Sequence, residues 1–377
     1  MGRIYIEKKS SKKKRPLSIP CMSDRAVQAL YALILEPVSE TTGDLHSYGF
    51  RKFRSTKDAC SYIKLCLQQK TSARWILESD IKGCFDNIDH NWLMEHIPLD
   101  KRILNEFLKA EYKEKKELFP TTAGVPQGGI ISPILANMTL DGLEDYIQNK
   151  YWKSKTGCIN RQHNNHKVNL IRYADDLIIT ADTQETAKDL KRMLSDFLRI
   201  RGLELSEKKT KITEVTAGFD FLGWNFRKYN NSLKVQPSAE SIKAIKTKIG
   251  ITIRMMSACP QEAVIGTLNP IIRGWGNYHD AVSSWRSFRK VDRYIFYALW
   301  QWAKRRHPMK SAKWVKARYW VRIRNRDWIF STGKYNLTSI SSIKYKSHKL
   351  IKVNKNCFLP EDMKYFINQG RGALQLP

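Results

Sequence analysis

Leu170-Ile171-Arg172-Tyr173-Ala174-Asp175-Asp176-Leu177-Ile178-Ile179 places two adjacent acids between two short apolar runs. Strand formers interrupted in this way read as a tight β-hairpin whose turn pushes its carboxylates out of the hydrophobic layer. Upstream, Arg74 to Ile81 reads as another strand, with a third acid, Asp80, near its end. A single Asp-Asp pair more often marks an ordinary turn. Three acids, each closing a β-type run, predict a gathered set of hard oxygen donors of the kind Mg²⁺ prefers.

Around these strands the helices can be placed from their starts and stops. Asp89 reads as the N-cap of a helix carrying Trp92, Leu93 and Ile97. Ser132-Pro133 predicts a helix over residues 134–147, with Ser132 as the capping residue and the loop Gly124-Val125-Pro126-Gln127-Gly128-Gly129 approaching its N-terminus. Ala187, Leu190, Leu194, Phe197 and Leu198 recur at helical spacing until Gly202 stops them. Strand-like and helix-like segments alternate through about residue 227, which predicts an α+β or α/β body, and beyond Pro237 the pattern is helical and basic. One later helix reads face by face. Phe288, Val291, Ile295, Leu299 and Trp302 form its apolar stripe, while Arg286, Arg289, Lys290 and Arg293 share another side, until Lys304-Arg305-Arg306-His307 leads into Pro308. Further on, Lys313, Lys316, Arg318, Arg322, Arg324 and Arg326 are interleaved with Trp314, Tyr319, Trp320 and Trp328, a mixture suited to phosphate neutralisation and base stacking.

The chain has 377 residues, 42% of them apolar, enough for two or three domains with real cores. Its 66 Lys plus Arg against 36 Asp plus Glu give a formal charge of +30, which points to a polyanion and first to nucleic acid. Residues 228–377 hold 29 of the bases and 7 of the acids, so they carry +22 and leave +8 for the larger N-terminal part. The seven cysteines include no C-x-x-C pair and no zinc-ribbon or disulfide spacing, as for reduced thiols in a cytosol-like compartment. No run of about 18 apolar residues occurs, which argues against secretion and membrane spanning. The cluster Lys12-Lys13-Lys14-Arg15 reads as a solvated or phosphate-facing loop rather than an import signal.

Joining nucleotides requires deprotonating a 3'-hydroxyl, aligning it with the α-phosphorus and neutralising a pyrophosphate, which two Mg²⁺ ions about 4 Å apart do together. Asp80 and Asp175 are the expected bridging ligands, with Asp176 an outer or weaker one and the Ile81 carbonyl an addition. The motifs resemble, in order, those of group II intron-encoded reverse transcriptases, the intron maturases. Lys8 to Pro20 resembles the first fingertip motif, Tyr48 to Ser55 the second and Ser79 to Ile88 the first palm motif. Ala123 to Ala136 (AGVPQGGIISPILA) and the tetrad Tyr173 to Asp176 follow. Gly202 to Ile212 and Phe219 to Trp224 complete the polymerase set. Leu268 to His279 (LNPIIRGWGNYH) and Trp302 to Pro308 (WAKRRHP) are similar to the family's thumb, or X, domain.

The resemblance implies an α+β right-hand polymerase, with fingers and palm over residues 1–227, an all-α thumb (X) domain over 236–315 and a basic DNA-binding extension over 316–377. It implies catalytic roles for Asp80, Asp175, Asp176 and Lys209, the last as proton donor to pyrophosphate. Lys8 or Lys9 and Arg15 would meet the triphosphate, Phe85 would exclude a ribose 2'-hydroxyl, Gln127 would support nucleotide and template, and Phe221-Leu222-Gly223 would be the primer grip. Nucleic-acid contacts are expected at Arg51, Arg54, Arg286, Arg289, Lys290, Arg293, Lys304, Arg305 and Arg306. The implied substrates are deoxynucleoside triphosphates on an RNA template with a DNA primer. The implied partners are a group II intron RNA, held as a ribonucleoprotein and helped to splice, and a target DNA. No membrane partner is expected, and the location is a bacterial cytoplasm, with an organelle as the alternative. The sequence begins almost at the first fingertip motif, and its cysteines offer nothing for the zinc-bearing endonuclease of many relatives, so target-strand nicking is not expected. Two rivals remain at this point: an RNA-binding splicing factor with little polymerase activity, and a reverse transcriptase recruited to defence or CRISPR adaptation. The X-like segment counts against the second.

Overall fold

The computed structural model describes residues 1–7, 14–114 and 117–371. It divides into two compact units, Met1–Val215 with Lys349–Pro377, and Thr216–His348.

The first unit opens with strands β1 (Gly2–Glu7) and β2 (Lys14–Ile19), then helices α1 (Met22–Thr42) and α2 (Thr56–Leu67). Strand β3 (Trp75–Asp80) leads into short helices α3 (Cys84–Asn87), α4 (His90–His96) and α5 (Lys101–Leu108), and a small hairpin, β4 (Tyr112–Glu114) with β5 (Glu117–Phe119). Helices α6 (Ser132–Leu140) and α7 (Leu143–Tyr151) precede the hairpin β6 (Leu170–Tyr173) and β7 (Asp176–Ala181), helix α8 (Gln184–Arg199) and strand β8 (Lys211–Glu214). Two four-stranded sheets result, ordered β2-β1-β4-β5 and β6-β7-β3-β8. In the second sheet every neighbouring pair is antiparallel. Its strands are buried because both faces are covered: Leu77, Leu177 and Ile179 share a core with Ala187, Leu190, Leu194 and Leu198 of α8, while Ile76 and Ile178 are buried on the opposite pleat.

The Asp89 cap holds, its carboxylate accepting from Trp92 N at 2.7 Å. The helix expected over 134–147 is instead two helices, separated at Asp141-Gly142. Gly142 lies at φ +86°, and the Asp141 carboxylate turns inward to the buried Arg172, so an ion pair and a left-handed residue interrupt the helical ladder. Ser132 is not the cap either. Its hydroxyl donates to Pro126 O at 2.8 Å, tying down the loop before the helix.

The second unit is a three-stranded antiparallel meander, β9 (Phe219–Phe221), β10 (Trp224–Tyr229) and β11 (Ser232–Pro237), followed by helices α9 (Ala239–Met255), α10 (Gln261–Tyr278), α11 (Trp285–Arg306) and α12 (Ala312–Tyr319), and a hairpin, β12 (Trp320–Ile323) with β13 (Arg326–Phe330). Its core joins Ile245, Ile249 and Ile253 of α9 to Val264, Leu268 and Ile272 of α10 and to the full predicted stripe of α11. The motif residues of α10 serve this packing. Asn269 donates to Asn336 O at 3.0 Å and accepts from Thr338 N at 2.8 Å, and Trp275 Nε1 donates to Ser241 Oγ at 3.1 Å.

Packing does not follow the motif boundaries. Residues 216–227 pack with the helices, because β9 and β10 pair with β11 rather than with β8. The stretch expected as one basic extension is shared out: residues 316–348 stay in the second unit, whereas residues 349–371, with helix α13 (Pro360–Asn368), pack on the first. Among the described residues no helix is long and apolar enough to cross a membrane.

Candidate active site and nucleic-acid surface

Register decides where the acids go. Asp80 lies directly opposite Asp176 in the β3–β7 ladder, and the Tyr173–Asp176 pair closes the β6–β7 hairpin around the two residues Ala174-Asp175. Directly opposed residues share a face, with Cβ atoms about 5 Å apart, so the strand ends present Asp80 and Asp176 together, with Asp175 beside them in the turn. Asp176 is exposed and Asp175 half-buried. The Asp80 side chain is about one-third exposed, and Lys209 Nζ donates to its Oδ2 at 2.8 Å. Ser206 N donates to Asp80 O at 2.8 Å, folding the Ser206–Lys209 turn over the strand end, and Ile81 is buried next to it, bridged to Leu205. Burial, and secondarily the Asp175 charge, push the Cys84 thiol up to about 12, so the nearby cysteine stays a neutral thiol.

The turn is held from behind. Ala174 has φ +57°, a region unfavourable for residues other than glycine. Tyr48 N donates to Arg172 O at 2.9 Å and Arg172 N to His46 O at 3.0 Å, so His46–Tyr48 forms an extra rung beside β6. Gly49 then presses on the turn: a Cβ there would lie 2.3 Å from Ala174 N. Asn137 Nδ2 donates to Gly49 O at 2.8 Å. Under this rung the fully buried Arg172 guanidinium hydrogen-bonds Asp141 and lies 3.6 Å from Asp44. Burial pushes the Asp44 carboxyl up to about 7 against the opposing pull of Arg172, and Asp141 is raised for the same reason.

A second wall comes from the Gly-rich loop. Val125 N donates to Phe85 O at 2.6 Å, Gly124 N to Ile88 O at 2.9 Å and Ser18 N to Gln127 O at 2.8 Å. Gly124 is at φ +79°, and a Cβ on it would lie 2.4 Å from Phe85 O, so only glycine allows this approach. The loop thereby joins β2, the strand of Arg15, to the segment of Phe85. Gln127 Nε2 donates to Asp86 Oδ1 at 2.8 Å, and the half-buried Phe85 meets Phe50 edge-on with ring centroids 6.5 Å apart. Lys8 and Lys9 lie outside the described residues, as does the Arg15 side chain.

The reverse transcriptase (RNA-dependent DNA polymerase) family profile matches residues 6–226, more than half of the chain. The chain belongs to this family. A second profile, the group II intron maturase-specific domain, matches residues 242–320. The reverse transcriptase is 34% identical over 280 residues to the Group II intron-encoded protein LtrA of Lactococcus lactis, covering 60% of this chain and 46% of that protein. It is 32% identical over 251 residues to Protein YkfC of Escherichia coli, covering 59% and 65%. With the Putative COX1/OXI3 intron 1 protein of Saccharomyces cerevisiae it shares 30% over 290 residues, 64% of this chain and 33% of that one. The chain spans from about a third to about two-thirds of the length of these curated relatives. The resemblance to intron-encoded reverse transcriptases drawn from the motifs is therefore borne out.

In the second unit of the reverse transcriptase, Phe221-Leu222-Gly223 forms the β9–β10 turn, with Leu222 at φ +49° and Gly223 at +78°. Tyr278 Oη donates to Leu222 O at 2.8 Å, and the Tyr278 ring stacks on Trp224 at 4.7 Å. Sequence reasoning placed Tyr278 in a motif but did not see that it holds this turn. Arg286, Arg289, Lys290, Arg293, Lys304 and Arg305 are exposed. Arg306 is half-buried, and its Nη1 donates to Ser257 O at 2.8 Å and Cys259 O at 2.9 Å, capping the carbonyls beyond α9. Arg51 and Arg54 are corrections. Their side chains are buried against Glu40, at 2.6 Å and 2.8 Å, where no nucleic acid reaches them. The missed signal was the short spacing of both arginines from Glu36 and Glu40, the two acids in the second half of α1.

Proposed function

We propose that this chain is an RNA-directed DNA polymerase that also binds its group II intron RNA, assists splicing and supports insertion of the intron into DNA by target-primed reverse transcription. The observation that carries the reading is the register of β3 and β7, which opposes Asp80 and Asp176 with Asp175 in the adjoining turn. These are all-oxygen donors suited to Mg²⁺. Asp80, Asp175, Asp176 and the Ile81 carbonyl would hold the metal, and a pair of ions there would supply neutralisation of charge on the transferred phosphoryl group and activation of the primer hydroxyl.

The chain's own groups do the positioning. Phe85 would lie beneath the sugar, where its ring leaves no room for a 2'-hydroxyl, and Gln127 would support the nucleotide from the glycine loop. Lys209, beside Asp80, would pass a proton to the departing pyrophosphate. Arg15 would pair with the triphosphate in the fork geometry guanidinium favours. Phe221-Leu222-Gly223 would hold the primer end. The exposed bases of α11 would neutralise RNA or DNA phosphates. A bacterial cytoplasm fits the reduced thiols, with an organelle the alternative.

One observation favours the rival reading of a splicing factor with little polymerase activity. Among the described residues no three His, Cys, Asp or Glu side chains stand gathered as a ready metal cage, and Asp80 is held by Lys209 instead. The maturase-domain match disfavours recruitment to defence or CRISPR adaptation. A primed RNA with deoxynucleotides and Mg²⁺ separates the two remaining readings. Extension supports the polymerase, and its absence while intron splicing at low magnesium is still stimulated would establish the splicing factor.

A further inference from the structure

Residues 349–371 return to the first unit after the second has been completed, and they fasten onto the stretch Arg51 to Asp58 and, through Asn356 Nδ2 donating to Thr41 Oγ1 at 3.0 Å, onto the end of α1. Lys52 Nζ lies 4.9 Å from the Phe358 ring centroid, and the Phe53 and Phe366 rings pack at 5.3 Å. Arg371 makes the fastening specific. Its Nη1 donates to Phe53 O at 2.8 Å and to Asp58 Oδ2 at 2.9 Å, and its Nη2 donates to Asp58 Oδ1 at 3.1 Å and to Lys349 O at 2.9 Å. Asp58 is fully buried, and its carboxylate also accepts from Ser55 N at 2.9 Å and Ile351 N at 3.2 Å. A two-pronged guanidinium pair of this kind fixes geometry as well as charge.

The residues just before this stretch reach the active site. Gly49 presses on the Ala174-Asp175 turn and Phe50 meets Phe85 edge-on. Phe50 and Phe53 both adopt positive φ, +56° and +60°. Such conformations persist only where neighbours over-determine them, and around Phe53 those neighbours are residues of the returning segment.

We propose that residues 349–371 are a strap that sets the 46–54 loop of the polymerase site, with Arg371 and Asp58 as positioning residues for the Phe50–Phe85 wall and the Asp175 turn. The inference rests on the polymerase reading of that site. It assigns to the end of this chain a part in nucleotide selection rather than in DNA binding.

The test compares incorporation of a deoxynucleotide and of the matching ribonucleotide on primed RNA by the full chain, by Arg371→Met and by Arg371→Lys, each below its own melting temperature. Arg371→Met should raise KM for the deoxynucleotide about tenfold, within the hundredfold that a 1 Å misplacement costs, and should narrow the preference over ribonucleotide. Arg371→Lys, which keeps a cation against Asp58, should fall between Arg371→Met and the unaltered chain. A lower melting temperature with KM and preference unchanged marks a merely structural contact and overturns the proposal. Where Arg371→Met does not fold, the same unchanged values in Arg371→Lys overturn it. Failure of the unaltered chain to extend the primer would instead overturn the polymerase reading itself.

Discussion

Arginine plays opposite parts in the two units. In the first, Arg51, Arg54 and Arg172 are buried against Glu40, Asp44 and Asp141. In the second, Arg286, Arg289, Lys290 and Arg293 stand in solvent along one face of α11. Supply of acids explains the difference. Residues 216–348 hold 25 Lys plus Arg and only 6 Asp plus Glu, whereas the rest of the chain holds 41 and 30. The first unit can neutralise its bases internally, and a buried guanidinium must be neutralised there. The second unit cannot, so most of its positive charge is left facing solvent, as the proposed binding of nucleic acid requires.

Three variants test this contrast in descending order of effect on stability. Glu40→Gln leaves the buried guanidiniums of Arg51 and Arg54 without their anion, and chemical denaturation should show a loss of about 3–5 kcal/mol. A loss within the range of a surface change would mean that the pair is solvated after all. Asp44→Asn is next and shows itself through pH. Folding raises the Asp44 pKa from 3.8 to about 7, so between those values the folded protein holds a proton that the unfolded chain has released. Its contribution is complete at the acid end and is lost as pH rises towards 7. Between pH 5 and pH 7.5 the unaltered chain should therefore lose about 2 kcal/mol more than the Asp44→Asn variant; parallel curves would show that Asp44 does not titrate there.

Neutralising Arg286, Arg289, Lys290 and Arg293 together comes last. Stability should shift by no more than about 0.5 kcal/mol for each, while the slope of log affinity for RNA against log salt should shrink by about 3. An unchanged slope would assign this face to solvent, and a large loss of stability would break the contrast.

The residues that were legible in the sequence are those whose job is periodic. The stripe of α11 declared itself because its burial repeats with the helix period, and β3, β6 and β7 declared themselves as short continuous apolar runs, as strands covered on both faces do. The acids declared themselves by interrupting those runs, and the glycine loop by a spacing that a close backbone approach requires. What stayed hidden depends on partners far along the chain. Asp141 breaks a helix for the sake of Arg172, 31 residues away. The return of residues 349–371 is hidden for the same reason, since Arg371 meets Asp58 across 313 residues. Where charge density alone guided the reading, exposed Arg289 and capped Arg306 looked alike.

The central claim is that Asp80, Asp175 and Asp176 form a nucleotidyl-transfer site in the first unit while the second supplies RNA binding. Asp175→Asn keeps the shape of the turn and removes one negative oxygen donor. The decisive measurement follows both primer extension on RNA and the dissociation constant for intron RNA in this variant. Extension reduced at least a thousandfold with RNA affinity unaltered is the predicted result; extension at the unaltered rate would contradict the account.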